Sequence, residues 1–200
     1  MKLLILVLGK TSSGKDTVAK YLKEEYGINS VCSYTTRSMR EYEKEGVQHY
    51  FRSKEEMAKI LLEENVLAYT KFPKTGIEYC ATIESVSEGI SSYIVDPNGV
   101  KYFKDKVYLS YEDIDYFTVF VDLSEELIIE RAQQRGDNIE DIKARLDSER
   151  DMFDEYKNSM EYDYYINNNG TLKELKSSVD AILSRELIKY KVEDLKEEAI

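Results

Sequence analysis

The sequence is poor in the residues that build disulfide frameworks and metal sites. Cys32 and Cys80 are its only cysteines and His49 its only histidine, so neither a disulfide-stapled scaffold nor a structural zinc site has enough ligands. A reducing, cytoplasmic setting is expected. Positive charge is also scarce: Lys and Arg number 28 against 39 Asp and Glu, for a formal net charge of -11 and a pI near 4.8. A duplex nucleic-acid binder needs a broad basic face to offset phosphate charge, so no nucleic-acid partner is expected, although a local basic pocket stays open. Long apolar runs are missing too. The opening run Leu3 to Leu8 is too short to span a bilayer and leads into glycine and polar residues without a small-residue cleavage site. It predicts a buried strand, with no signal peptide and no membrane partner.

What is present has the rhythm of an α/β protein. Lys2 to Gly9 is an unbroken aliphatic run suited to a central parallel strand covered on both faces. Ser92 to Asp96 (SYIVD), Phe117 to Leu123 (FTVFVDL) and Tyr164 to Asn167 (YYIN) resemble it and are separated by stretches of helical spacing, which predicts a mostly parallel sheet flanked by helices. Ser53 and Thr171 each precede a glutamate by three residues, Glu56 and Glu174, the spacing of reciprocal helix capping; Ser124 marks a third start. After Gly14, Val18, Tyr21 and Leu22 share a helix face, and after Thr171 so do Leu172, Leu175, Val179 and Leu183. The charge-rich end, Val192 to Ile200, extends or frays that last helix. No repeat, long linker or low-complexity tract interrupts the chain, so 200 residues with 42% hydrophobic content predict one compact unit.

Between the first strand and the first helix stands GKTSSGKDT, Gly9 to Thr17. Glycines there let backbone amides turn inward as a concave nest, the helix N-terminus adds partial positive charge, and Lys15 reaches toward β- and γ-phosphates. Gly9, Lys10, Thr11, Ser12, Ser13, Gly14, Lys15, Asp16 and Thr17 are therefore the candidate ATP-binding loop. A P-loop NTPase fold follows, with Mg²⁺ as cofactor. The usual hydroxyl after the lysine is replaced by Asp16, with Thr17 next; both carry oxygen donors of the kind Mg²⁺ prefers, so Asp16 and Thr17 are the candidate metal ligands.

From Ser33 the chain reads SYTTRSMREYEKEGVQHYF. With the phosphate loop, DPNGV at Asp96 to Val100, QRG at Gln134 to Gly136 and the RL at Arg145, this resembles the guanylate kinase family over roughly Leu3 to Leu183. The resemblance implies a P-loop nucleoside monophosphate kinase with a core of 1–32, 82–130 and 160–200, an acceptor lobe of about 33–81 and a lid of about 131–150. It implies that Ser33, Arg37, Arg40 and Tyr79 hold the acceptor monophosphate through planar guanidinium forks. His49 falls on a phosphate-contacting tyrosine position, with Tyr50 adjacent, and is a binding residue rather than a base, since phosphoryl transfer needs no strong general base. Arg131, Arg135 and Arg145 would be the lid arginines that join Lys15 in catalysis, where one placed arginine is worth about 10³ to 10⁵ in rate. Asp96, at the end of an aliphatic strand, would lie near acceptor and metal. Asn167 would stand on the adenine side.

The base-reading positions depart from the family: its glutamate and its Ser or Thr fall on Ala68 and Ala81, and Glu78 is a candidate replacement carboxylate. A site built to bond a base edge discriminates by several powers of ten, so loss of both groups loosens or redirects base choice. GMP or dGMP is the expected acceptor; the alternatives are another nucleoside monophosphate, a small phosphorylated metabolite, or a non-catalytic guanylate-kinase-like binding module. Monomer and homodimer are both compatible with the sequence.

Overall fold

Strand β1 (Lys2–Leu8) sends its side chains alternately to two cores. Leu4, Leu6 and Leu8 join one cluster with Val95, Phe103 and Phe120, while Leu3, Ile5 and Val7 join another with Val18, Leu22 and Val179. A strand apolar at every position after Lys2 is buried on both faces, so layers must cover the sheet above and below. The computed structural model describes residues 2–41, 43–63, 65–108, 110–111 and 113–197, with backbone alone for 190–197.

β1 is followed by α1 (Lys15–Tyr26), β2 (Asn29–Ser30), β3 (Ser33–Thr35), β4 (His49–Phe51), α2 (Lys54–Glu63), β5 (Val66–Lys71), β6 (Glu78–Thr82), β7 (Gly89–Ile94) and α3 (Pro97–Tyr102). A π-helical segment, Phe103–Tyr108, then leads to β8 (Ile114–Asp122), α4 (Glu125–Arg135), α5 (Ile139–Ser159), β9 (Tyr164–Asn167) and α6 (Leu172–Glu197). The main sheet has the order β2-β7-β1-β8-β9, and every neighbouring pair in it is parallel. A second sheet, β4-β3-β6-β5, is mixed: β3 and β4 run parallel, while β6 is antiparallel to both β3 and β5.

The expected mostly parallel, helix-flanked sheet is thus found, with its strands displaced by a few residues. The SYIVD strand starts at Gly89 and ends at Ile94, because Asp96 turns to cap α3. The FTVFVDL strand extends back to Ile114, and YYIN is β9 as expected. Both reciprocal caps are made: Ser53 N donates to Glu56 (2.7 Å) and Glu56 N to Ser53 Oγ (3.1 Å), and Thr171 and Glu174 repeat the pattern. Ser124 accepts from the Leu127 amide at the start of α4. On α6, Leu175, Val179 and Leu183 are buried as predicted, but Leu172 in the first turn stays exposed. The expected extension of that helix reaches residue 197, and 198–200 lie outside the described residues. Among the described residues no helix is long and apolar enough to cross a membrane.

Candidate active site

The carboxyl ends of β1 and β7 lie side by side, as Val7 pairs with Ile94. The loop Gly9 to Gly14 therefore opens beside Asp96, at the edge where ligands collect in open parallel sheets. Two glycines make the loop possible. A Cβ on Gly9 would stand 2.4 Å from the Val121 carbonyl oxygen, and one on Gly14, at φ 105, would stand 2.4 Å from Asn168 Nδ2. Such approaches exclude any side chain. Asn168 follows β9, is buried, and donates through Nδ2 to the Ser13 carbonyl at 2.8 Å, closing the loop from the far end of the chain.

Lys15 Nζ donates to the Lys10 carbonyl across the loop at 3.0 Å. Burial lowers its pKa, opposed by the nearby Asp16 and Glu149 carboxylates. Lys10 behaves differently: its ammonium meets Asp154 at 2.7 Å and Glu125 at 3.1 Å. Those carboxylates overcome the lowering effect of burial and raise its pKa. Lys10 thus braces the loop against α4 and α5, and only its backbone belongs to the cradle.

One cavity of about 1320 Å³ joins this loop to the second sheet. Lys15, Asp16, Thr17, Arg135 and Arg145 line one end, and Ser33, Arg37, Arg40, His49 and Tyr79 the other, with Asp96 between. Ser33 Oγ and His49 Nδ1 are 2.9 Å apart. Burial, then the Arg37 charge, pushes the His49 pKa down, so its imidazole is neutral near pH 7. Asp96 caps α3 by accepting from the Gly99 amide (2.9 Å) and also accepts from Thr70 Oγ1 (2.8 Å); burial raises its pKa.

Arg37 is held by a residue the sequence did not single out. Its Nη1 and Nη2 donate to both Glu43 oxygens at 2.9 and 2.8 Å, and the Arg40 amide donates to the same carboxylate at 2.8 Å. Burial alone would raise the Glu43 carboxyl, but these bonds bring it to about 2. A carboxylate pKa below its ordinary 4.5 adds stability that is fully present above that value and lost as pH falls from about 4.5 to about 2. The size is up to about 3 kcal/mol. Glu43→Gln should accordingly remove that part of the acid dependence, which denaturant midpoints measured between pH 6 and pH 3 would show as a flatter profile than the parent's.

Several expected site residues stand off the cavity. Glu78 accepts from the Tyr69 hydroxyl (2.8 Å) and pairs with Lys71 (3.2 Å), because its strand position directs it to the neighbour β5. Tyr50 packs against Tyr34 and under the Arg52 guanidinium. Arg131 Nη2 donates to the Asn168 and Gly170 carbonyls at 3.1 and 2.9 Å, bracing the loop after β9. Asn167 is exposed and caps the Asn169 amide; Asn168, one residue on, is the one that meets the phosphate loop. The Ser13 hydroxyl is buried beneath that loop. Ala68, by contrast, lines the cavity, and its cross-strand partner Ala81 is buried behind that lining.

A parallel sheet whose first strand ends in an amide-lined loop with an inward lysine, facing an arginine pocket across one cavity, defines a P-loop phosphotransferase of the nucleoside monophosphate kinase type. A family model described as Guanylate kinase matches residues 1–186. The chain belongs to the guanylate kinase family. It is 29% identical over 207 residues to the guanylate kinase of Clostridioides difficile, covering 98% of this chain and 97% of that one. To the Rickettsia felis guanylate kinase it is 28% identical over 190 residues, covering 91% and 93%. The match to the Enterococcus faecalis guanylate kinase is 34% identical over 110 residues and spans 52% of this chain and about half, 54%, of that relative. The fold matches a crystal structure of guanylate kinase from Anaplasma phagocytophilum with a TM-score of 0.61 at 23% identity, over 92% of this chain and 85% of that chain.

Proposed function

We propose that this protein transfers the γ-phosphate of ATP to GMP, with dGMP as a further acceptor. The observation that carries the reading is the single cavity that has Lys15 and the Gly9–Thr17 amides at one end and Arg37, Arg40 and Ser33 at the other. Two anion receptors facing each other across one space hold a donor and an acceptor phosphate for direct in-line transfer, and positioning plus charge compensation then perform the catalysis.

The residues fit both groups. The Thr11 amide already holds a carboxylate, that of Glu149, so the cradle suits an anion, and Asp16 and Thr17 offer oxygen donors to Mg²⁺. Bound with ATP, Mg²⁺ would neutralise charge on the phosphate oxygens. Lys15 orients the phosphates, Arg135 and Arg145 bring positive charge to the transferring group, and Arg37 and Arg40 fix the acceptor. Asp96 bonds the Thr70 hydroxyl at the boundary between the two ends.

A panel of nucleoside monophosphates with ATP and Mg²⁺ tests the reading. GMP is expected to be turned over with the highest kcat/KM. Because Ala68 and Ala81 offer no side-chain partner to the base edge, IMP is expected within about 100-fold of GMP, far short of the 10⁴ to 10⁵ that a fully bonded edge gives. No turnover of any nucleoside monophosphate would refute it.

A further inference from the structure

α5 presents Arg145 and Glu149, one turn apart, to the cavity, while Ile142, Leu146 and Phe153 fix that helix in the core. Glu149 Oε2 accepts from the Thr11 amide at 2.7 Å, and its Oε1 lies 3.8 Å from Arg145 Nη2. Its side chain is 12% exposed, and its charge acts on Lys15. A loop amide, a lid guanidinium and the loop ammonium are the partners a nucleotide phosphate seeks in such a cradle.

We propose that Glu149 is an internal stand-in for phosphate, docking α5 onto the loop and competing with ATP for the Thr11 amide and Arg145. The proposal rests on the reading of Gly9–Thr17 as the ATP site. An incoming phosphate removes both partners of Glu149 in one exchange. Two like charges then share a poorly solvated space, so the carboxylate swings away while Arg145 passes from Glu149 to the nucleotide. The contact would thus couple loading of the cradle to delivery of a lid arginine. Its cost is a lower apparent affinity, since only the undocked fraction binds.

Ile142, Leu146 and Phe153 anchor α5 in the core without it, so Glu149→Gln, which keeps its shape, and Glu149→Ala are both expected to fold. Calorimetric titration of ATP in magnesium-free buffer should show binding tighter by on the order of tenfold in both, with GMP affinity unaltered, a selectivity that general loosening of α5 would not produce. In protein without added nucleotide, the Thr11 amide resonance should move in Glu149→Gln. Equal or weaker ATP binding by the variants, or an unmoved Thr11 resonance, overturns the proposal while leaving the ATP site in place. Failure of every form, parent included, to bind ATP overturns the site reading and the proposal together.

Discussion

Replacing Lys15 by alanine is expected to lower kcat by about 10³-fold while the unfolding midpoint moves by no more than the equivalent of roughly 1 kcal/mol. The asymmetry follows from the bonding. Among the described residues Lys15 makes one side-chain hydrogen bond, to the Lys10 carbonyl, so little of the fold depends on it. In the proposed transfer its ammonium would stand where charge on the transferring group develops, and a donor preplaced there needs no reorganisation during reaction. Single-turnover rates alongside thermal unfolding would check both halves. Near-parent turnover in Lys15→Ala would remove the loop from the reaction, whatever the fold.

The second large effect is expected at Arg37. Arg37→Ala should raise KM for GMP on the order of 10²-fold through loss of a charge-assisted fork. It should also destabilise the protein by about 3 to 5 kcal/mol, because Glu43 is then a buried carboxylate without its guanidinium. The two consequences separate in the double variant Arg37→Ala/Glu43→Gln, which is expected to regain most of the stability and none of the affinity. A double variant with parental KM would show that Arg37 serves the fold alone.

These residues also show what was legible in the sequence. β1, the phosphate loop and the capped helix starts were readable because each rests on a local signal: an unbroken aliphatic run, glycines bracketing a lysine, a glutamate three residues after a hydroxyl. The second sheet leaves no periodic signal. β3 and β4 have three residues each and mix Ser, Tyr, Thr and His, too few and too polar for alternation to register; the sheet is set by antiparallel pairing of β6 with its neighbours. The expected cluster of Arg37, Arg40, Ser33 and His49 came from resemblance, whereas Glu43 needed the three-dimensional turn that brings it back onto Arg37. The inward place of Asn168 rather than Asn167 does carry a local signal. Ile166 faces the core, so in an extended segment Asn167 faces away and Asn168 faces in. Glu149 had none, because its significance depends on how α5 crosses the phosphate loop.

The clasp between Asn168 and the Ser13 carbonyl joins positions 155 apart in the chain, and Arg131 steadies the same turn. The loop after β1 therefore acquires its working shape only when β9 has docked beside β8. Because the cradle is closed from the other side of the sheet, an anion held there stabilises β9 and the turn after it as well as the loop itself.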